Sequence, residues 1–479
     1  MFQCFGGIFR KSFMYKVSFG TDGWRGIIAR DFTFDNVRVV TQAISSYVKK
    51  TGEGPLIIGY DTRFFSDRYA MITAEVIRGN GIPVILSDRP ISTPVLSYSV
   101  KNYNASGGIM ITASHNPYYF NGIKYKASYG GSAFPAITSE IETLIGKERP
   151  KVLTGIPSKK DLLPSYKKHI SSLIDMEKIK DSGISIIFDP MYGTAGGVLE
   201  ELLSGKSCKV KTIHNWMDPL FGGLHPEPLK ENLKDLKNEV LKNKASVGLA
   251  TDGDADRLGV ISPSGEFIES HKIFGLLLLH LIRNRGWKGD VVKTISTTLL
   301  IDRIAAKLGL GVYETPVGFK HICELMLKGD ILIGGEESGG IGIKNHIPER
   351  DGLLAGLLLL EMMATESKSL QELLDLMEEE FGRLHYSRVD FNIAPDEGKK
   401  LVKILRESPP DNIIGRGILD IKIYDGLKFI LEGDSWVLLR PSGTEPVLRV
   451  YAEAQSTEDV KRIIDFGKEV VLGKGRYRS

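Results

Sequence analysis

Three aspartates alternate along the segment TDGDADR, residues 251–257, which lies between two short apolar runs. In an extended loop alternate side chains project to the same side, so the three carboxylates can converge on one hard cation, most naturally magnesium. The ligands predicted in this way are Asp252, Asp254 and Asp256. An EF-hand calcium loop would need glycine and glutamate where this chain has Arg257 and Pro263. A solvated acidic turn is the alternative, but carboxylates between apolar runs repel one another unless a cation neutralises them.

The segment TASHNP, residues 112–117, offers a hydroxyl that can act as a nucleophile. It follows the apolar run GGIMIT, and Asn116-Pro117 closes a turn that presents Ser114 beside His115. Taken alone, a Ser-His pair in a turn is more typical of a local hydrogen-bonding motif. A cation held by three carboxylates, however, is a good partner for a phosphoserine, whose dianion needs positive charge. We therefore predict that Ser114 carries a phosphoryl group next to the metal.

The segment RPSGTEP, residues 440–446, has the composition of a phosphate-binding loop. Arginine offers a fork of donors, serine and threonine offer hydroxyls, and glycine lets backbone amides approach an anion. The predicted phosphate-binding residues are Arg440, Ser442, Gly443 and Thr444. An ordinary hairpin with a hydroxyl-rich turn is the alternative.

Three further turns carry polar side chains whose role the residues alone leave open. GGEESGG, residues 334–340, presents Glu336 and Ser338, which can bind sugar hydroxyl groups. TPVGFK, residues 315–320, ends in Lys320, which can bind phosphate or move a proton, and SFGTDGWRG, residues 18–26, contains Arg25. Solvated or packed turns are equally good interpretations of all three segments.

Most of these turns follow strands of a predicted α/β fold. Runs rich in β-formers alternate with helical patterns, which indicates parallel sheets covered by helices. Buried strands are predicted over 56–59, 107–112, 184–189, 247–250, 290–295 and 331–334. Ligand sites in open α/β sheets gather at the carboxyl ends of strands, and each of these runs ends in a polar or glycine-rich turn.

The pattern and the predicted boundaries divide the chain into four domains. From 419 to 451 three strands separated by Asp425-Gly426 and Gly433-Asp434 turns predict an antiparallel meander, followed by a helix over 457–471. Poorly hydrophobic stretches predict three α/β domains of similar layout and a C-terminal α+β domain. The serine turn falls in 1–150, the aspartates in 151–265, GGEESGG in 266–383 and RPSGTEP in 384–479.

Composition excludes several classes of protein. The 62 basic and 59 acidic residues are mixed along the chain and give a net charge of +3, so no nucleic-acid partner is expected. The longest apolar run, 273–282, is shorter than the ~20 residues of a membrane span and predicts a buried helix. Cys4, Cys208 and Cys323 are far apart, which argues against a disulfide framework and fits a cytoplasmic protein. Residues 1–13 lack the core of a signal peptide, with Met14 as an alternative start.

Taken in order, FGTDGWRG, TASHNP, TDGDADR, GGEESGG and RPSGTEP resemble, loop for loop, the alpha-D-phosphohexomutases. This family includes phosphoglucomutases, phosphomannomutases and phosphoglucosamine mutases, and the likeness runs from about Val17 to the end of the chain. The resemblance implies four domains around a central cleft, with one loop from each. It also implies transfer of a phosphoryl group between two hydroxyls of a hexose by way of a phosphorylated serine.

Carried over by position, the resemblance implies a phosphorylated Ser114 that completes the shell of one Mg²⁺ per chain held by the three aspartates. Glu336 and Ser338 would contact the sugar's 3- and 4-hydroxyls, and the RPSGTEP loop would hold the phosphate that is not reacting. The transfer site, with the general base left open among its members, would be lined by Arg25, His115, Lys124, Arg257 and Lys320. Some members have a histidine where this chain has Gly340, so the resemblance does not extend to a histidine relay in that loop.

The predicted reaction interconverts hexose 1-phosphate and hexose 6-phosphate, with glucose favoured and glucose 1,6-bisphosphate as activator. Sugar phosphates are the expected partners of a monomer or homodimer, and no membrane is involved. A phosphomannomutase or a bifunctional phosphomannomutase/phosphoglucomutase is the first alternative, and a phosphoglucosamine mutase is the second. From other classes, a sugar-bisphosphate phosphatase would use the same serine and metal but admit water, and a non-catalytic relative would have lost a key side chain.

Overall fold

The computed structural model describes residues 17–20, 22–442 and 446–473, and its strands form four sheets. The first unit contains β1 (Trp24–Ile27), α1 (Phe34–Thr51), β2 (Leu56–Tyr60), α2 (Ser66–Gly79), β3 (Val84–Ser87), α3 (Thr93–Asn102), β4 (Gly107–Ile111), β5 (Phe120–Ala127), α4 (Pro135–Leu144) and β6 (Lys159–Lys160). Its mixed sheet has the order β1-β5-β4-β2-β3-β6. Strands β2, β3, β4 and β6 run parallel, whereas β5 pairs antiparallel with both β4 and β1.

The second unit repeats this design with a five-stranded mixed sheet. It contains α5 (Leu163–Leu173), α6 (Met176–Asp181), β7 (Ser185–Asp189), α7 (Val198–Leu203), β8 (Lys209–Thr212), α8 (Lys234–Asn243), β9 (Val247–Thr251), β10 (Leu258–Ile261) and β11 (Phe267–Ile268). The strand order is β11-β10-β9-β7-β8, with β7 parallel to β8 and β9 and with β10 antiparallel to β9.

The third unit has a smaller mixed sheet of four strands. It contains α9 (Ser270–Leu279), β12 (Asp290–Thr294), α10 (Leu300–Leu308), β13 (Val312–Thr315), α11 (Phe319–Lys328), β14 (Ile331–Gly335), β15 (Ile341–Ile343), α12 (Gly352–Glu366) and α13 (Leu370–Phe381). The strand order is β13-β12-β14-β15, and the β14–β15 pair is antiparallel.

The fourth unit is an antiparallel sheet with two helices. It contains β16 (His385–Asn392), α14 (Pro395–Glu407), β17 (Asn412–Ile413), β18 (Arg416–Lys422), β19 (Leu427–Leu431), β20 (Ser435–Pro441), β21 (Val447–Ala454) and α15 (Thr457–Val471). All neighbours in the order β16-β21-β20-β19-β18-β17 pair antiparallel. The predicted α/β class and four-domain architecture are therefore confirmed, and the helix over 457–471 is found as predicted.

The predicted site turns occupy equivalent places in the four sheets. In each of the first three, a parallel strand ends in a hairpin to an antiparallel neighbour, namely β4–β5, β9–β10 and β14–β15. These hairpins contain the serine, the aspartates and GGEESGG respectively, and the β20–β21 hairpin contains RPSGTEP. The four turns belong to four different sheets, and side-chain contacts between units, such as Ser114 with Asp252 and Arg350 with Asp256, bring the first three together.

Two central helices join the first three units. Helix α12 is buried from Gly352 to Met363 and is apolar on all faces except at Glu361, whose carboxylate is paired with His280 and Arg285. It packs on α9 in the largest apolar core, and α9 continues into one π-helical turn, His280–Asn284, in line with the buried helix predicted for 273–282. Over the described parts of the chain, no helix combines the length and apolar character that crossing a bilayer requires.

The fourth unit packs on the third through a small apolar cluster and several polar contacts. Trp436, Leu438 and Tyr451 of its sheet meet Ile295, which follows β12. Beside them the ammonium of Lys428, itself fully buried, donates to the Ile295 carbonyl at 2.6 Å and lies over the Trp436 ring at 4.0 Å. One lysine of the fourth unit therefore bonds directly to a loop of the third.

The environment of Lys428 makes stability depend on pH. Burial, and secondarily the nearby ammonium of Lys293, lowers the pKa of Lys428 to about 7, although Glu314 acts in the opposite direction. In the unfolded chain a lysine titrates near pH 10.4, so between about pH 7 and 10 the unfolded state binds a proton that the folded state does not. Stability from this group therefore rises with pH in that window and is lost as pH falls towards 7.

Replacing Lys428 by methionine should remove this slope. Urea unfolding at pH 8 and 10 should show a rise in the free energy of unfolding that is smaller in the variant by about 1 kcal/mol per pH unit. Lys403→Met is the control, since Lys403 lies on α14 of the same unit with its side chain 72% exposed. Equal slopes in wild type and Lys428→Met would show that the ammonium keeps its ordinary titration.

Candidate active site

The serine hairpin places the predicted nucleophile against the first aspartate. Ser114 is buried, and its backbone N–H donates to the Thr112 hydroxyl at 2.8 Å. Its own hydroxyl donates to Asp252 Oδ2 at 3.0 Å. The backbone of Ser114 is left-handed, with φ of 54°. Residues other than glycine rarely adopt this conformation, which costs about 1–3 kcal/mol. The turn is thus held in a strained shape that brings the hydroxyl to TDGDADR, residues 251–257, the predicted metal loop.

The three aspartates of the metal loop are fully buried and lie together. One carboxylate oxygen from each falls within 4.8 Å of the others. The loop is closed by Asp252 Oδ1, which accepts from the backbone N–H groups of Asp256 at 2.9 Å and of residue 257 at 3.1 Å. On the other side, the Thr93 hydroxyl donates to Asp254 Oδ2 at 2.5 Å. The spacing predicted from the sequence therefore does bring the carboxylates to one point.

These carboxylates fit a divalent cation. Among the described residues, the Oδ1 atoms of Asp254 and Asp256 are buried without a hydrogen-bond partner, and such oxygens are costly unless something positive binds them. Burial, together with the charges of Asp256 and Asp254, raises the pKa of Asp252 well above its ordinary value. An all-oxygen set of hard ligands is what Mg²⁺ prefers.

Lys124 also belongs to this cluster, as the resemblance implied. It lies on β5, and its ammonium contacts Asp254 Oδ2 at 2.7 Å, Asp256 Oδ2 at 3.0 Å and Asp22 Oδ2 at 2.9 Å. Burial acts to lower the pKa of Lys124, but these three carboxylates outweigh it and hold the pKa above its ordinary value. For Asp254, burial acts to raise the pKa, but the charge of Lys124 outweighs it and the pKa is lowered. In this arrangement Lys124 is a fixed positive charge.

Arg350, which was not predicted, connects the metal loop to GGEESGG, residues 334–340, the predicted sugar loop. Its Nη2 lies 2.8 Å from Asp256 Oδ2 and 2.7 Å from Asp22 Oδ2, and its Nη1 donates to Glu336 Oε2 at 3.3 Å. Asp22 was not predicted either, although it lies in FGTDGWRG together with Arg25. A carboxylate in that segment could have been recognised as a partner for the basic residues of the site. Arg350 precedes α12 in an ordinary polar segment, and no sequence pattern marked it.

The sugar loop is held in place by its glutamate. Glu336 is buried, and its Oε1 accepts from the Gly318 N–H at 3.1 Å while Oε2 faces Arg350. Burial raises the pKa of Glu336. Ser338 is partly exposed on the same hairpin. At Gly340 an added Cβ would lie 2.3 Å from Arg350 Cδ. The arginine side chain therefore leaves no room at position 340 for the histidine that the resemblance implies in some family members.

The basic residues predicted for the transfer site surround the serine loop. Arg25 donates to the Asn116 side chain, and Arg257 donates to Glu227 Oε1 at 2.6 Å. The His115 Nδ1 atom lies 3.4 Å from the Ser114 hydroxyl. Burial and the charges of Arg257 and Arg25 hold the pKa of His115 well below its ordinary value. Burial and the neighbouring cations therefore favour the neutral imidazole and make it a weaker proton acceptor than an exposed histidine.

Lys320 lies further out, half-buried at the start of α11. Burial lowers the pKa of Lys320, and the carboxylates that oppose this shift are Asp22 and Asp425. These carboxylates belong to the first and fourth units. A flexible ammonium in that place can bind an anion.

RPSGTEP, residues 440–446, the predicted phosphate loop, is described only in part. Arg440 Nε lies 2.9 Å from both carboxylate oxygens of Asp425, and Asp425 in turn accepts from the Val317 N–H at 2.7 Å. Ser442 is buried, and its backbone N–H donates to the Val447 carbonyl at 2.8 Å. Gly443 and Thr444 lie outside the described residues. Within the described ranges, no hydrogen bond or ion pair joins Arg440 to the serine or metal loop.

Models of four consecutive domains match the chain. They are phosphoglucomutase/phosphomannomutase alpha/beta/alpha domain I over 16–151, domain II over 164–265 and domain III over 269–380, and the C-terminal domain over 397–468. A phosphoglucomutase/phosphomannomutase of Thermococcus kodakarensis is 32% identical over 94% of this chain and 97% of its own length. The chain belongs to the phosphoglucomutase/phosphomannomutase family. The predicted enzyme class, a mutase and hence an isomerase, is confirmed with it.

Other relatives of this phosphohexomutase differ in the sugar that they are named for. A phosphoglucosamine/phosphogalactosamine mutase of Sulfurisphaera tokodaii is 31% identical over 95% of this chain and 99% of its own. A crystal structure from Thermus thermophilus, assigned as a phosphomannomutase, is 36% identical with a TM-score of 0.87, covering 96% of this chain and 100% of the other. An N-acetylphosphoglucosamine mutase of Aspergillus fumigatus, crystallised with GlcNAc-6P and magnesium, shares the fold at 16% identity, a TM-score of 0.60 and coverage of 96% and 95%.

Proposed function

We propose that this phosphohexomutase interconverts hexose 1-phosphate and hexose 6-phosphate through a phosphorylated Ser114. The observation that carries the proposal is the contact between the Ser114 hydroxyl and Asp252, beside two buried carboxylate oxygens with no hydrogen-bond partner among the described residues. A nucleophilic hydroxyl and a cation site that share one point are what transfer of a dianionic group requires. No comparable pairing of hydroxyl and carboxylates is needed merely to close a hairpin.

A bound magnesium ion would be held by Asp252, Asp254 and Asp256 and would neutralise charge on the phosphoryl oxygens. The residues of the chain would do the rest. Lys124, Arg25 and Arg257 supply fixed positive charge around Ser114, and charge placed in advance at a buried site is worth more than in water. The general base stays open among the residues around the serine; His115, whose Nδ1 lies 3.4 Å from the Ser114 hydroxyl, is one candidate for the group that accepts a proton.

The bisphosphate formed in the first half of the reaction has to reverse so that its other phosphate faces Ser114. Glu336 and Ser338 lie on a hairpin that can bind sugar hydroxyls in both orientations, and Arg440 with Ser442 lies on a separate unit that can bind the distal phosphate. Since the fourth unit contacts the third through a small cluster, we propose that it closes over the sugar during this step. Glucose 1,6-bisphosphate would then serve as the activator that primes Ser114.

The preferred sugar is proposed to be glucose. The support is that GGEESGG and TPVGFK resemble the corresponding segments of glucose-type members. Overall sequence identity does not separate the sugars, because relatives named for glucose and mannose, for glucosamine and galactosamine, and for mannose are 32%, 31% and 36% identical. Phosphomannomutase activity in the same enzyme is the first alternative, because the configuration at C2 lies away from the 3- and 4-hydroxyl contacts. A monomer or homodimer in the cytoplasm, and the four domain boundaries, stay predictions.

The experiment is a comparison of substrates under matched conditions. Glucose, mannose, glucosamine and galactosamine 1-phosphates are each assayed with magnesium and a trace of the corresponding bisphosphate, and kcat/KM is compared. We expect glucose 1-phosphate to give the highest kcat/KM, the mannose and glucosamine compounds, which differ from it at C2, to react more slowly, and the galactosamine compound, whose 4-hydroxyl is inverted, to react most slowly. Free phosphate is measured in parallel, and its release from glucose 1,6-bisphosphate faster than isomerisation would instead support a phosphatase.

A further inference from the structure

The guanidinium of Arg63 lies behind the serine hairpin and has no part in the mechanism above. Its side chain is fully buried just after β2, in the segment YDTR. A guanidinium has five N–H donors in one plane, and all five have an acceptor here. Nε donates to Asp61 Oδ2 at 3.1 Å, and the two terminal nitrogens donate to the backbone carbonyls of Ser114 at 2.6 Å, Asn116 at 2.6 Å, Pro117 at 2.8 Å and Phe120 at 3.2 Å.

Four carbonyls of one hairpin turn inwards to this single cation. Carbonyl oxygens that converge in a buried place repel one another and leave unsatisfied acceptors unless a donor lies between them. One of the four belongs to Ser114 itself, whose left-handed backbone is strained and needs a partner that holds it. Lysine could not replace the arginine, since it has three donors on a point charge rather than five in a plane.

The Arg63 contacts are fixed from two sides. Asp61 is held by the hydroxyls of Thr112 at 2.6 Å and Ser66 at 2.7 Å. On the other face, the ring of Phe221 from the second unit covers the guanidinium at 4.8 Å. The cation is therefore rigid, and it anchors the serine loop to the first sheet.

We propose that Arg63 is a positioning residue that holds the backbone of the serine loop so that the Ser114 hydroxyl faces Asp252. The inference rests on the proposed function, in which Ser114 carries the phosphoryl group. Because a trans peptide is planar, a Ser114 carbonyl turned towards Arg63 directs the N–H of His115 to the opposite face of the loop. Losing the guanidinium would free this peptide as well as the hydroxyl.

The test compares Arg63→Gln and Arg63→Lys with the wild type. Displacement of a reacting group by about 1 Å can cost about 10²-fold in rate, so kcat should fall by about that factor in Arg63→Gln, with KM changed less. Phosphoserine formed from glucose 1,6-bisphosphate, measured by intact-protein mass spectrometry, should slow in parallel. Arg68→Gln is the control, because Arg68 lies on the next helix with its side chain 72% exposed.

Two readouts separate positioning from general stability. Amide hydrogen exchange over residues 115–120 should accelerate in Arg63→Gln while exchange in the strands of the other units stays as in wild type. Guanidinium ion added to Arg63→Ala should restore part of the kcat, with no effect on Arg68→Gln.

The proposal is overturned if a folded Arg63→Gln or Arg63→Lys keeps wild-type phosphoserine formation and loop exchange. It is overturned equally if neither variant folds, because Arg63 would then serve the fold as a whole. The proposed function fails by a different result, namely full activity in a variant without the Ser114 hydroxyl. Faster loop exchange in Arg63→Gln would still be seen in that case.

Discussion

Replacing Ser114 by alanine is expected to lower kcat by a factor on the order of 10⁴ or more, the scale on which loss of a covalent nucleophile acts. The physical reason is that no other described hydroxyl contacts the Asp252 carboxylate, so nothing else can take the phosphoryl group beside the cation. The measurement is turnover of glucose 1-phosphate with added glucose 1,6-bisphosphate. Intact-protein mass spectrometry after the same incubation should show no phosphorylated protein.

Ser99→Ala is the matched control for this variant. Ser99 is also a buried serine of the first unit, but its hydroxyl donates to the Val95 carbonyl within helix α3 at 2.8 Å. Its loss should leave kcat within about twofold, because the site residues do not contact it. Turnover in Ser114→Ala at the wild-type rate would remove the assigned nucleophile and with it the covalent mechanism.

Removing the divalent cation is expected to abolish turnover and to lower stability. Without a cation, buried carboxylates repel one another, and a ligand that binds only the folded state stabilises it by about 2.7 kcal/mol at 100 times its Kd. The midpoint temperature of thermal unfolding should therefore rise when MgCl₂ is added to protein from which divalent cations have been removed. In Asp256→Asn the magnesium-dependent part of this shift should be largely lost.

The control for the cation experiment is Asp67→Asn. Asp67 is an exposed carboxylate on α2, so its variant should keep the full magnesium-dependent shift. The shift is compared within each variant, because Asp256 also pairs with Arg350 and its loss lowers stability by itself. An identical shift in wild type and Asp256→Asn would place the ion elsewhere. Undiminished turnover in chelator would show that the reaction needs no such cation.

The sequence was informative where the chemistry is local. Three aspartates at alternate positions converge as the extended loop predicts, and six buried strands appear within a few residues of their predicted ends. The contact between Ser114 and Asp252 spans 138 residues, yet it was foreseen because a phosphoserine and a cation site need each other. A chemical requirement here substituted for geometric information.

The residues that the sequence did not reveal contact partners that are far away in the chain, and they belong to no motif that marks a catalytic or ligand-binding role. Arg350 reaches Asp22 across 328 positions, and Arg63 contacts the Ser114 carbonyl across 51. Arginines in polar segments are usually solvated, so neither stands out before the chain has folded. The same holds for Lys428, whose burial depends on how the fourth unit packs on Ile295.

The three hairpins that follow parallel strands have a consequence for how enzymes of this kind can diversify. Each turn projects beyond the last hydrogen-bonded pair of its sheet, so a partly exposed side chain such as Ser338 can be exchanged while the strands beneath keep their register. One hairpin could therefore be altered to admit an amino sugar while the alcohol and the acids on the other two stayed untouched. Preference for a new hexose would then arise by a handful of substitutions in a single turn, with little effect on folding.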